Sequence, residues 1–188
     1  MFSPLKISYK PSSVINIRQL SPTKLQILNA TVIAGSVLLC SLLLPTRLPG
    51  MELLGIGPNW LLIWVVSWSI KRSVYQGAIA GIALGLIQDG MTSTSPSHTL
   101  ALTIVGILTA KIDKQRYIQE DFISIALIVF AMAVLAETIT ALQYGVHHLA
   151  QISEIWRQHQ PIALASAILS SLWAPVVYFP LNRWWSKL

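Results

Sequence analysis

Long apolar runs alternate along this chain with short segments that hold nearly all of its positive charge, and that alternation limits the fold more than any other feature. Six runs stand out, at 27–44, 53–70, 74–88, 98–110, 122–144 and 161–181. A hydrocarbon core about 30 Å thick takes about 20 helical residues to cross. The first, second, fifth and sixth runs are long enough. The third and fourth are short, so they either borrow polar flanks such as 93–97 or form a re-entrant hairpin buried by protein. Six spans are expected, with the hairpin as the alternative. Charged residues make up 11% of the chain, against about 25% in an average soluble domain. That is too few to cover a water-facing surface, which argues against a soluble enzyme. Cys40, the single cysteine, permits no internal disulfide and no thiolate cage.

The charge distribution predicts sidedness. With the amino terminus inside, the inner segments collect Lys6, Lys10, Arg18, Lys24, Lys71, Arg72, Lys111, Lys114, Arg116, Arg183 and Lys187, and the outer ones only Arg47 and Arg157. This obeys the positive-inside rule and places both termini in the cytoplasm. The net charge of +6 does not point to nucleic acid, because the cations sit between apolar runs. Residues 1–24 are basic, lack acids and read either as a tail on anionic lipid headgroups or as a disordered leader. Residues 25–188 read as one multi-spanning membrane domain.

Several residues invite closer reading. Gly77, Gly81 and Gly85 recur four apart, so on a helix they line one face and let another backbone approach closely. Asp89 follows on the same face, near the outer end of that run, and is read either as a cap for the turn 90–94 or as a functional carboxylate. Glu137 lies deep in the fifth run with no cation nearby in sequence. It is expected to face the bundle interior, bonded to a polar group such as Asn59, Gln88 or Thr138, with a proton or substrate role as the sharper reading. Pro58-Asn59-Trp60 opens the continuous part of the second run, with proline in the first helical turn and Asn59 suited to bonding between helices. Pro175 and Pro180 are expected to bend the last helix or end it early.

Val146, Leu149, Ile152 and Trp156 recur at helical spacing opposite Gln151, Glu154, Arg157 and Gln158, which predicts an amphipathic helix lying on the outer surface. Trp60, Trp173, Trp184 and Trp185 match an interfacial aromatic belt only in part, since Trp64 and Trp68 fall within the second run. His147, His148 and His159 make a weak metal pattern, because adjacent helical histidines point apart. No phosphate loop, dinucleotide fingerprint or hydrolase motif occurs. Neither a catalytic residue nor a metal or cofactor site is expected.

From Leu53 to Lys111 the chain resembles the rod shape-determining protein MreD family. The resemblance rests on Pro58-Asn59-Trp60 before an apolar run, the basic turn Lys71-Arg72, Gly77, Gly81 and Gly85 leading to Leu86-Ile87-Gln88-Asp89, and a further run with Gly106. The ending from Leu172-Trp173-Ala174-Pro175 to Arg183 is also similar to the family's last helix. The resemblance implies a bacterial inner-membrane protein of the cell-elongation machinery, needed for rod shape and lateral peptidoglycan synthesis. It implies MreC as the direct partner, with the MreB filament and the RodA–transpeptidase pair further off, and membrane lipids around it. It also implies an all-α bundle of about six transmembrane helices, similar to the substrate-binding subunits of energy-coupling-factor transporters. Two other functions stay open: a substrate-binding transport subunit, which needs a polar cavity around Asn59, Asp89 and Glu137, and an intramembrane enzyme, which needs two carboxylates in contact.

Overall fold

A computed structural model describes residues 21–46, 50–92, 96–112, 121–147 and 152–186. Among these residues there are six α-helices: α1 (Pro22–Leu43), α2 (Trp60–Ser69), α3 (Val74–Met91), α4 (His98–Lys111), α5 (Phe122–His147) and α6 (Ile152–Trp185). The only extended pairing among them is an isolated bridge between Leu53 and Ile56. Three helices are long and apolar enough to cross a membrane: α1, α5 over Phe122–Val146 and α6 over His159–Trp185. At about 1.5 Å per residue, α4 reaches about 21 Å and α2 about 15 Å, so neither crosses a bilayer core as a helix on its own.

The second run therefore differs from its expected length. Its first residues form a tight turn in which the Leu53 and Ile56 backbones bond to each other, with Leu54 and Gly55 both at positive φ. Helix begins only after Pro58, which sits two residues before α2 and not in its first turn. Asn59 is the N-cap, its side chain accepting from the Leu62 backbone N–H at 3.1 Å.

That short helix is the centre of the molecule. It packs against all five others, and every one of its residues except Trp68 is buried. A helix apolar on all sides has to be surrounded, either by lipid or by protein. Here protein does it. Trp60 packs on Trp173 of α6, Trp64 stacks on Trp68, and Trp68 meets Trp185 edge-on. Trp64 also donates to the Ser36 hydroxyl of α1 at 2.9 Å. The tryptophans of α2 thus tie helices together. At the end of α2, the Arg72 guanidinium lies 4.4 Å from the Trp68 ring centroid.

Helix α1 begins at Pro22, in the first-turn position where the missing amide costs nothing. It buries only Cys40 and leaves Ile27, Leu38, Leu39 and Leu42 on the outside. Helix α3 opens with a capping box in which Ser73 and Gln76 satisfy each other's backbone amides.

At the far end, α6 runs unbroken to Trp185 through Pro161, Pro175 and Pro180. The early stop expected from these prolines does not occur. Proline inside a membrane helix is tolerated where neighbouring groups re-satisfy the freed carbonyls, and Pro175 is fully enclosed by protein. The amphipathic segment is also not a separate surface helix. Val146 belongs to the end of α5, and the residues from Ile152 onward are the first turns of α6. Leu149 and Gln151 lie outside the described residues, as do residues 1–20.

Candidate functional site

The α3–α4 hairpin joins backbone to backbone. On α3, Gly77, Gly81, Leu84, Gly85 and Gln88 form the buried face, while Tyr75, Ile79, Ile82 and Leu86 point away from the protein. A Cβ placed on Gly77 would sit 2.5 Å from the Gly106 carbonyl oxygen. On Gly81 it would run into the backbone of Leu102 and Thr103, and on Gly85 into the backbone of Thr99. The contact is reciprocal, since a Cβ on Gly106 would strike the Gly77 carbonyl. At each of these glycines the nearest obstacle is backbone, which no side-chain rotation clears. Only glycine leaves room for this approach.

Asp89 fastens the same hairpin at its loop end. Helix α4 starts at His98, and its N-cap residue Ser97 makes no side-chain capping bond of its own. Asp89 supplies the acceptors from the neighbouring helix. The His98 backbone N–H donates to Oδ1 at 2.6 Å, and His98 Nδ1 lies 3.0 Å from the same oxygen. The Ser97 hydroxyl, the Thr99 hydroxyl and the Thr99 backbone N–H donate to Oδ2 at 2.9, 2.7 and 3.2 Å. A carboxylate at a helix start satisfies amides that have no partner within the helix and meets the positive end of its dipole. Asp89 therefore caps the following helix, α4, beyond the turn first suggested by the sequence.

Gln143 of α5 extends this network. Its amide group donates to the Ser97 carbonyl at 3.0 Å and its oxygen accepts from the Ser97 backbone N–H at 2.9 Å. At the start of α2, the Asn59 backbone N–H donates to the Ser170 hydroxyl of α6 at 3.0 Å. Asn59 thus links helices through its main chain, while its side chain caps its own helix.

Glu137 has different surroundings. It lies partly buried on α5, and its hydrogen-bond partner is Ser166 of α6, with His159 and His98 close enough to act on its charge. The partners expected from the sequence are engaged elsewhere or absent: Thr138 donates to the Val134 carbonyl, Asn59 caps α2, and the Gln88 side-chain oxygen has no partner. Glu137 and Thr138 face His159 and Gln160 across a cleft of about 270 Å³ between α5 and α6, open on one side. The His159 ring rests on Tyr144, 5.6 Å between centroids, and its Nδ1 is buried without a partner. Of Asn59, Asp89 and Glu137, only Glu137 lines this cleft.

Among the described residues, no three His, Cys, Asp or Glu side chains gather as a metal cage. Sequence reading passed over Ser97, His98, Thr99, Gln143, Ser166 and Ser170. The one available signal was a run of small hydroxyl residues and a histidine just ahead of α4, the composition of a helix start.

A chain whose described residues form six helices, three of them long and apolar enough to cross a membrane, with a buried helix at the centre, is a membrane protein. Its family is set by sequence: residues 25–184 match the model of the rod shape-determining protein MreD, most of the chain, and the protein belongs to that family. Its role is in rod shape determination, within a family of structural components not known for enzymatic activity. Neither the curated proteins nor the solved structures compared with it give a match.

Proposed function

We propose that this protein is a multi-pass scaffold of the bacterial inner membrane that holds MreC and thereby steadies the machinery for lateral peptidoglycan synthesis. MreB and the RodA–transpeptidase pair are engaged through that assembly. The observation that carries the reading is the family match over residues 25–184. The geometry is in keeping with it, since Asp89, Asn59 and Gln143 are spent on helix starts and helix junctions. Both termini lie in the cytoplasm, with 1–24 a basic tail and 25–188 the membrane domain, as the charge distribution supports.

Transport by a bundle like the energy-coupling-factor binding subunits is the weaker reading. It calls for Asn59, Asp89 and Glu137 in one cavity, and two of the three are capping residues. The decisive experiment is depletion of the protein in its host with microscopy of cell width, joined to co-purification with MreC. Rounded cells and recovery of MreC are expected. Unchanged width after depletion, or purification free of MreC, overturns the scaffold reading.

A further inference from the structure

We propose that the α5–α6 cleft binds a primary ammonium group carried on an apolar stem, with Glu137 as its counter-ion. A carboxylate within a membrane span is costly unless it is paired. Ionised, it offers about four acceptor sites, and the hydroxyl of Ser166 fills one. Among the described residues no lysine or arginine pairs with it. Arg157, nearby along α6, pairs instead with Glu154 at 3.4 Å and is largely exposed. The His159 ring packs on Tyr144. His98 is already bound to Asp89.

The rest of the cleft narrows the ligand class. Beside Glu137 stand Thr138 and Gln160, able to accept from an ammonium, and the Trp156 ring, whose π face attracts cations. Val134 and Leu164 line the remainder and suit a hydrocarbon stem. The volume, about 270 Å³, falls just under the range of about 300–1,000 Å³ usual for drug-sized ligands. It suits a headgroup or a short amine better than a vitamin-sized substrate. On α6, Leu164 and Ile168 carry the apolar surface from the cleft to the outside of the protein, so an amphiphile can enter from the bilayer. A free alkylamine has this chemistry outright, and an aminophospholipid offers the same ammonium on an ethyl arm joined to its phosphate. The site does not depend on the partner-holding role.

The test is the melting midpoint of the full-length protein in nanodiscs. Discs of phosphatidylglycerol alone are compared with discs in which part of the lipid is phosphatidylethanolamine or phosphatidylcholine, and hexylammonium is titrated into the first kind. Saturating a site of this type is expected to raise the midpoint by about 2–4 °C. Phosphatidylcholine, whose trimethylated nitrogen lacks N–H donors, should raise it less. A rise with phosphatidylethanolamine identifies the lipid as the source, and a rise with hexylammonium alone identifies a free amine. Either rise must vanish in Glu137→Gln. Should that variant not accumulate, Ala163→Leu, which narrows the cleft and leaves the carboxylate in place, carries the same comparison. No rise with either amine, or an equal rise in wild type and variant, overturns the proposal.

Discussion

In the α3–α4 hairpin the two helix backbones meet at glycines, whereas the α5–α6 hairpin opens locally into a cleft lined by side chains. Both hairpins pack extensively along their length, but they treat a carboxylate in opposite ways. Asp89 spends both oxygens on donors from Ser97, His98 and Thr99, and its charge is matched by a helix start. Glu137 keeps acceptor capacity unspent beside an open volume. Where backbones touch, nothing can be inserted and nothing can bind. Where the helices part into a cleft, there is room for a guest. The first hairpin is thus the rigid part of the bundle and the second the adaptable part.

That contrast is most exposed to a large side chain on the seam. Gly81→Leu drives four carbons into the backbone of Leu102 and Thr103. Overpacking typically costs about 1–3 kcal/mol where neighbours can shift, and a backbone obstacle puts this variant at or above the upper end. Blotting of membranes should show low accumulation, and cells relying on it should lose rod shape. Ile79→Leu, on the outward face of the same helix, should be tolerated. Wild-type behaviour of Gly81→Leu would falsify the rigid seam.

A smaller loss is expected at the latch. Asp89→Ala leaves the His98 and Thr99 amides at the start of α4 without their acceptor, and unsatisfied donors of this kind typically cost about 1–3 kcal/mol. Asp89→Asn should do better than Ala but clearly worse than wild type. Its single oxygen can serve only one of two donor sets, and its NH2 then faces donors. Complementation of depleted cells, with protein levels matched, should rank wild type first, then Asn, then Ala. Equal loss in Asn and Ala at normal levels would show that the charge itself is needed, and would return Asp89 to the transport and enzyme readings.

The opposite hairpin should absorb added volume. Ala163→Leu points into the α5–α6 cleft, and we expect a change in thermal midpoint of no more than about 2 °C, in keeping with a cost below about 1 kcal/mol. A loss as large as that of Gly81→Leu would erase the distinction between the hairpins.

The smallest perturbation tests only sidedness. Ser95→Cys in a Cys40→Ser background should leave function unchanged and react with an impermeant thiol reagent added outside. Labelling from the cytoplasm alone would invert the proposed topology.

Much of this was legible in the residues. The glycine spacing placed Gly77, Gly81 and Gly85 on one face, because four-residue periodicity is local. The start of α2 was less legible, since Leu54 adopts a positive φ that its side chain does not favour. The partner of Glu137 was not legible at all. Ser166 stands on another helix, and nothing in the spacing links the two.

What sequence determined by itself is that the chain is helical, apolar and built for a membrane, because composition and charge spacing alone decide which solvent a segment can enter. Which apolar residues meet protein and which meet lipid was decided by the tertiary structure. Leu38, Leu39 and Leu42 of α1 are exposed, while Leu61 and Leu62 of α2 are fully enclosed. In water the two sets would differ in polarity, and periodicity would show the buried face. In a bilayer, lipid tails are as apolar as leucine. The pattern then carries no mark of the inside, and only packing could place ten residues of α2 at the centre of the bundle.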